Sequence, residues 1–404
     1  MDQHVPAPVS LPGTLWGIAA YFNPVGYRNK LENFRLFRAA SKRQGLQLIV
    51  VEAALGDTPF ELRDDDAEHV IRLRTNAVLW QKERLLNVVL RHLPDACDKV
   101  VWLDTDVLFS SDTWVMDLSR KLEEFIVVQP FDSAVQLPRG ITEILPPDLC
   151  HGESLPAPGT VAWWLSMNRP VHGSMNGHPG YACAARRSLL DRFGFYDKGV
   201  VGSGDSIIMG AFFGIDPHAN FFIHMDQISL LNHAAVWASP VTAALSGSIG
   251  AVEGTVFHLW HGPRQKRYYI DRNKLLAGYV PETDVRIGNG GCFEWCTDKP
   301  WMHAKVRDYF WMRDEEGNAN FPSVDETRVF DLERQHSMDS AEIQSLRQSL
   351  AAAEAVIQHL ASSPGPILRR LCTWIDRLST LILPRQSRLR KMLRALLLRV
   401  RIPR

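Results

Sequence analysis

The chain has 404 residues, 46% of them hydrophobic, with 45 Lys and Arg against 45 Asp and Glu, enough to bury a large core and too apolar for a disordered protein. The zero net charge hides an imbalance: residues 365 to 404 carry eleven Lys and Arg against Asp376 alone, a net +10 that leaves −10 on residues 1 to 364. Six cysteines exclude a disulfide scaffold at this length, the opening MDQHVPAPVSLPG lacks the basic and apolar regions of a signal peptide, and no run approaches the ~18 uninterrupted apolar residues of a membrane span. A reducing, cytoplasmic setting is expected.

LWGIAAYF (Leu15 to Phe22) reads as a strand. Asn29 to Gln44 carries Leu31, Phe34, Phe37 and Ala40 at helical spacing, with Gly45 placed to stop the helix. LQLIVVEA (Leu46 to Ala53) is a buried strand, His69 to Leu73 a short one, Val78 to Leu93 a helix and Lys99 to Leu103 the next strand. A helix and a strand follow from Ser111 to Phe131. This alternation predicts a parallel, doubly wound sheet with its ligand beyond the carboxyl ends of the strands. Residues 138 to 180 are loop-rich, with Trp163 and Trp164 suited to a lid over the crevice or to ordinary core. Cys292 and Cys296 in CFEWC lack a second ligand pair at finger-like spacing and are expected as two small buried hydrophobes.

After about residue 325 the composition shifts. Ile343, Leu346, Leu350, Ala353, Ile357 and Leu360 keep heptad-like spacing, a short helix that could pair with a copy of itself or fold back. Ser362 to Pro366 breaks it, and the remainder reads as two basic amphipathic helices separated by Pro384. The expected divisions are a flexible terminus over 1–13, the main domain over 14–325, the heptad-like helix over 326–362 and the basic tail over 363–404. Arg-rich amphipathic helices suit an anionic membrane surface, here the inner face of the plasma membrane, better than nucleic acid, for which no reader motif is present.

Three segments carry chemistry. In VVWLDTDVLF (Val100 to Phe109) an apolar strand ends in Asp104 and Asp106, carboxylates that repel each other and lose hydration unless a cation pairs with them. Hard divalent cations such as Mg²⁺ and Mn²⁺ take carboxylate oxygens. His178 to Gly214 brings a glycine turn, a short apolar strand, a helix from Arg187 to Phe193, and a flexible Gly202-Ser203-Gly204 leading to Asp205 at a helix start, where the acid is a base aimed at a ligand or an N-cap. Val256 to Arg272 offers His258 and His261, three apart after a strand-like run, followed by Arg264, Lys266, Arg267 and Arg272 as cations for a diphosphate.

The order of these segments resembles the nucleotide-sugar glycosyltransferases of the GT-A fold, and among them the inverting, metal-dependent galactosyltransferase and N-acetylgalactosaminyltransferase group, over about residues 14 to 320. The resemblance implies a Rossmann-like nucleotide-binding sheet with a mixed acceptor-side sheet, to which a C-terminal helical basic tail is added. It implies that Ala20, Tyr21 and Phe22 hold the nucleotide, that Glu52 faces the base or ribose, and that Lys82 and Asn87 in LWQKERLLN contact the donor. Asp104 would face the ribose and the metal, Asp106 and His258 would bind Mn²⁺ or Mg²⁺, and His261, Arg264 and Arg267 would meet the diphosphate. Asp205 would be the catalytic base. Here the pattern departs, since related enzymes place two or three acids after the glycines and this chain has Asp205 followed by Ser206. The implied activity is inverting transfer from a UDP-sugar to a glycan or lipid-linked glycan. A phosphatase with Asp104 as nucleophile, or a membrane-tethered scaffold, are the competing readings.

Overall fold

The computed structural model describes residues 8–144, 154–155, 160–161, 178–219, 227–269 and 271–317. All lie in the first of two compact units, Met1–Phe330 and Asp331–Arg404. Trp163, Trp164, the heptad-like helix and the basic tail fall outside the described residues.

In chain order the elements are β1 (Thr14–Phe22), α1 (Arg28–Arg43), β2 (Gln47–Leu55), β3 (His69–Thr75), α2 (Lys82–Val89), β4 (Cys97–Leu103), β5 (Val107–Phe109), α3 (Trp114–Glu124), β6 (Val127–Gln129), β7 (Ser133–Gln136) and β8 (Ser154–Leu155). They continue with β9 (Ala182–Arg186), α4 (Arg187–Phe193), α5 (Gly204–Phe212), α6 (Ile228–Leu245), β10 (Ile249–Ala251), β11 (Thr255–His258), α7 (Pro281–Asp284), β12 (Val285–Ile287), β13 (Phe293–Trp295) and α8 (Pro300–Met312).

Seven strands form the main sheet in the order β10-β6-β9-β4-β1-β2-β3. All pairings are parallel except those of β9, which runs antiparallel to both β4 and β6. The all-parallel expectation is therefore corrected at one strand, β9, which enters the sheet antiparallel between β4 and β6. Strand residues alternate between two cores. Ile18, Ile49, Val51, Val100, Trp102 and Cys183 face one, while Ala19, Tyr21, Val50, Val101, Leu103 and Ala184 face the other. α1 and α3 cover the second face through Phe34, Phe37, Trp114 and Leu118; α2, α4, α5, α6 and α8 cover the first. Burial on both faces explains the near-continuous apolar runs of β2 and β4.

A second sheet, β5-β11-β7-β8, is mixed: β11 is antiparallel to β5 and parallel to β7. A central, mostly parallel sheet with a smaller mixed sheet is the arrangement that the GT-A resemblance implies.

Two expectations need local correction. The helix expected over Val78 to Leu93 begins only at Lys82. Trp80 N–H donates to Val200 O, and the Gln81 side chain reaches Thr75 Oγ1 and Phe293 N–H, so residues 76–81 are held out of the helix by tertiary hydrogen bonds. Among the described residues one helix, α6, is long and apolar enough by composition to cross a membrane, although Ser229, Asn232, His233, Ser239, Pro240 and Thr242 interrupt it, in keeping with the absence of an uninterrupted apolar run. It buries Leu230, Leu231, Ala234, Ala238, Val241 and Leu245 against the core. Cys292 is buried as expected, but Cys296 is exposed.

Candidate active site

The chain leaves β1 to build β2 and β3 on one side, then returns to place β4 on the other. The carboxyl ends of β1 and β4 thus flank a topological switch point, where a crevice opens in sheets of this kind. Asp104 follows β4 directly and Lys82 opens α2 beside it. Lys82 Nζ lies 2.6 Å from Asp104 Oδ1 and 3.0 and 3.2 Å from the two Asp205 oxygens. One ammonium therefore joins the strand-end acid to the acid at the start of α5. Burial works against the Lys82 charge, but the Asp104 and Asp205 carboxylates outweigh it and hold its pKa above the ordinary lysine value. Asp104 Oδ2 accepts from Tyr181 N–H at 3.0 Å. Burial, and then the charges of Asp205 and Asp106, push the Asp104 carboxyl up against the pull of Lys82. Tyr181 and Ser203, at φ 68 and 70, both hold the left-handed backbone conformation that side chains avoid; each adjoins this cluster, where such strain collects.

The second sheet builds the neighbouring cluster by register. His258 pairs across with Val107 on one side and Gln136 on the other, so His258 and Gln136 lie side by side with Asp106, the residue just before β5. Asp106, His258 and His261 offer ligand atoms that all lie within 4.8 Å of one another. His258 Nδ1–H donates to Gln136 Oε1 at 2.7 Å, which leaves Nε2 facing Asp106 Oδ1 at 3.4 Å. That Asp106 oxygen is buried and makes no hydrogen bond. Two lone pairs facing each other across this distance call for a cation between them, and a hydrogen-bonded outer nitrogen is the usual support for a metal-binding imidazole. Burial opposes the Asp106 charge, but the adjacent His258 imidazole, with Lys30, outweighs it and holds the carboxyl below its ordinary value. Burial and the charge of Arg267 push His261 far down, so its ring is neutral. Gly262, at φ +101, makes this turn: a Cβ there would lie 2.5 Å from Asp314 O. The residues present fit a divalent cation, and two imidazoles with one carboxylate suit Mn²⁺ better than Mg²⁺, which keeps to oxygen.

The residues named from the sequence divide as follows. Asp104, Asp106, Lys82, Asp205, His258 and His261 come together. Asp104, expected on the metal, is turned instead to Lys82 and Tyr181, and His261, expected at the diphosphate, takes its place in the ligand group. Arg267 is buried, with Nη1 on Glu315 at 2.9 Å and Nη2 against His261, so it braces the histidine turn instead of reaching out to a diphosphate. Arg264 is solvent-exposed, and its charge is felt at His178, which burial and Arg264 push down to about 4. Asn87 is committed elsewhere: its amide spans Phe195 N–H, Phe195 O and Asp197, and it clamps the loop after α4. Glu52 is also indirect. Its oxygens accept from the backbone amides of Glu61 and Leu62, at 2.5 and 3.2 Å, and burial raises its pKa. The loop so held brings Glu61 to the Tyr21 hydroxyl and to Asn23. Ala20 is half-buried beside them, and Phe22 is core, edge-on to Phe310.

Sequence reasoning missed Gln136, Tyr181 and Glu315. Nothing local marks them: a strand-end glutamine and a tyrosine after glycine become partners only through sheet register, and Glu315 only through the fold of α8. Glu315 takes Arg267 and Arg313 at 2.9 and 2.8 Å and lies 3.8 Å from Lys30.

No family model matches the chain, and no curated protein matches it. Solved structures similar to it include glucosyl-3-phosphoglycerate synthase from Mycobacterium tuberculosis in complex with Mn²⁺, uridine diphosphate and phosphoglyceric acid, at 17% identity and TM-score 0.34, covering 68% of this chain and 81% of that one. Residues 1–349 of S. aureus TarS with UDP-GlcNAc match at 12% and 0.33, covering 76% and 74%. The catalytic domain of Drosophila β1,4-galactosyltransferase 7 with xylobiose matches at 12% and 0.27, covering 51% and 62%. The chain thus spans less than two thirds of that galactosyltransferase domain, and 32% of a longer TarS chain. TM-scores this low carry no weight for activity, which rests on the site itself.

Proposed function

We propose that the protein transfers a sugar from a nucleoside-diphosphate sugar, a UDP-sugar being the favoured donor, to a hydroxyl of a glycan or lipid-linked glycan. The observation that carries this reading is the pair of adjoining clusters at the switch point: a cation-ready Asp106-His258-His261 group and a Lys82-bridged pair of acids. A divalent cation held by the first group would neutralise charge developing on the leaving diphosphate. Lys82, and Arg264 at the rim, supply further positive charge from the chain itself. Lys82 bonds both Asp205 oxygens before donor is present. A diphosphate competes for the same ammonium, so donor binding draws Lys82 off Asp205 and leaves that carboxylate to take the proton of the acceptor hydroxyl. Attack from the face opposite the leaving group inverts the anomeric centre. The Asp-nucleophile phosphatase is disfavoured because both Asp104 oxygens are engaged, one by Lys82 and one by Tyr181 N–H.

The test is a panel of nucleotide-sugars with Mn²⁺, scored by release of nucleoside diphosphate. Release from one donor, lost in Asp106→Asn, is expected. Donor turnover that survives in Asp106→Asn, or phosphate release from simple monoesters in place of sugar transfer, would overturn the reading.

A further inference from the structure

Glu83 follows Lys82 in α2, and no step above uses it. It is 2% exposed, and its Oε1 makes no hydrogen bond. A Cβ built on Gly204 would lie 2.3 Å from the Glu83 carboxyl carbon and from Oε1. The carboxyl is therefore pressed against the backbone that opens α5 and carries Asp205.

Three carboxyl groups, Asp104, Asp205 and Glu83, thus crowd one ammonium. The hydrogen bonds divide them unequally. Asp104 has a donor on each oxygen, from Lys82 at 2.6 Å and Tyr181 N–H at 3.0 Å. Asp205 has Lys82 on both of its oxygens, at 3.0 and 3.2 Å. Glu83 has a bare buried oxygen. Leaving a charged oxygen bare in the interior costs more than leaving a neutral one, so a proton shared among the three settles where donors are fewest.

We propose that Glu83 is a positioning residue of this site: as a neutral carboxylic acid it keeps the one proton that the single lysine cannot replace, and so leaves Lys82 undivided between Asp104 and Asp205. Burial, then the charge of Asp205, push its carboxyl up to about 8, with Lys82 opposing and Asp104 adding. Across the Gly202-Ser203-Gly204 turn from it, the Arg272 guanidinium packs on Gly202 and reaches Ser203 Oγ at 3.3 Å. Ionisation of Glu83 places a third anion beside Lys82, draws the ammonium off the bridge, and loosens both aspartates. The activity arm of the test rests on the sugar-transfer reading; the spectroscopic arm does not.

Wild-type turnover is expected to fall above a midpoint near 8, by about tenfold per pH unit for loss of one proton. Glu83→Ala removes the group and loses turnover, whereas Glu83→Gln, a permanently neutral isostere, recovers it at neutral pH and lacks the alkaline limb. An unchanged limb in Glu83→Gln, or no recovery at neutral pH in a variant with wild-type circular dichroism, would overturn the proposal. Infrared spectra of wild-type protein labelled with ¹³C-glutamate give the second arm. A protonated-carboxyl band is expected at neutral pH that disappears through the same midpoint, whether or not any sugar is transferred. Absence of that band overturns the proposal and leaves the transfer reading standing.

Discussion

Gln136 Oε1 accepts from His258 Nδ1, and through that one bond the protein chooses which ring nitrogen faces Asp106. Glu315 plays the matching part behind His261, holding Arg267 and Arg313 with one carboxylate in the interior. Burial opposes its charge, but Lys30, Arg313 and Arg267 pull its pKa far below the ordinary value. A carboxyl depressed on folding adds stability that is complete above its unfolded value of about 4.3 and is lost as pH falls below it. Glu315→Gln strands two buried guanidiniums and is expected to cost about 3–5 kcal/mol at neutral pH. Urea melts at neutral and acid pH check this: the difference between wild type and variant should shrink as pH falls. A difference that is small at neutral pH, or constant with pH, would contradict the role given to Glu315.

Among the elements, α2 and α5 meet at Gly204, which has no side chain to collide with Glu83. Gly204→Ala forces the carboxyl away or shifts α5, and is expected to destabilise by about 1–3 kcal/mol. Thermal melts and a donor-turnover assay should show both properties falling together; a neutral effect would mean that the two helices are less closely apposed. This contact was not legible in the sequence, although much around it was. The strand ending in Asp104, the helix starting at Asp205 and the His258-x-x-His261 spacing follow from apolar periodicity and glycine placement. What the sequence did not show is what tertiary register decides. Asp104 turns to Lys82 and not to the histidines, Gln81 holds back the start of α2, and β9 enters the sheet antiparallel. Asn87 sits five residues after Lys82, yet that spacing sends it to the other side of the helix end, against Phe195.

For the whole molecule, the charge division matters most: a net +10 over residues 365 to 404 against −10 before them. We propose that the tail rests on an anionic membrane surface, which would bring the site to a lipid-linked acceptor on the cytoplasmic face. In liposome flotation with anionic vesicles, the full chain should float and a chain ending at Ser362 should stay behind. Equal recovery of both would exclude the tail as the anchor, and recovery insensitive to salt would exclude charge as its cause.

The clusters at the switch point are what the functional reading depends on, and titration calorimetry of UDP with and without Mn²⁺ tests them most directly. UDP binding that requires Mn²⁺, disappears in Asp106→Asn, and needs about 10- to 100-fold more Mn²⁺ in Gln136→Ala is the expected result. UDP binding indifferent to Mn²⁺ in all three proteins, or no binding of either by the wild type, would contradict it.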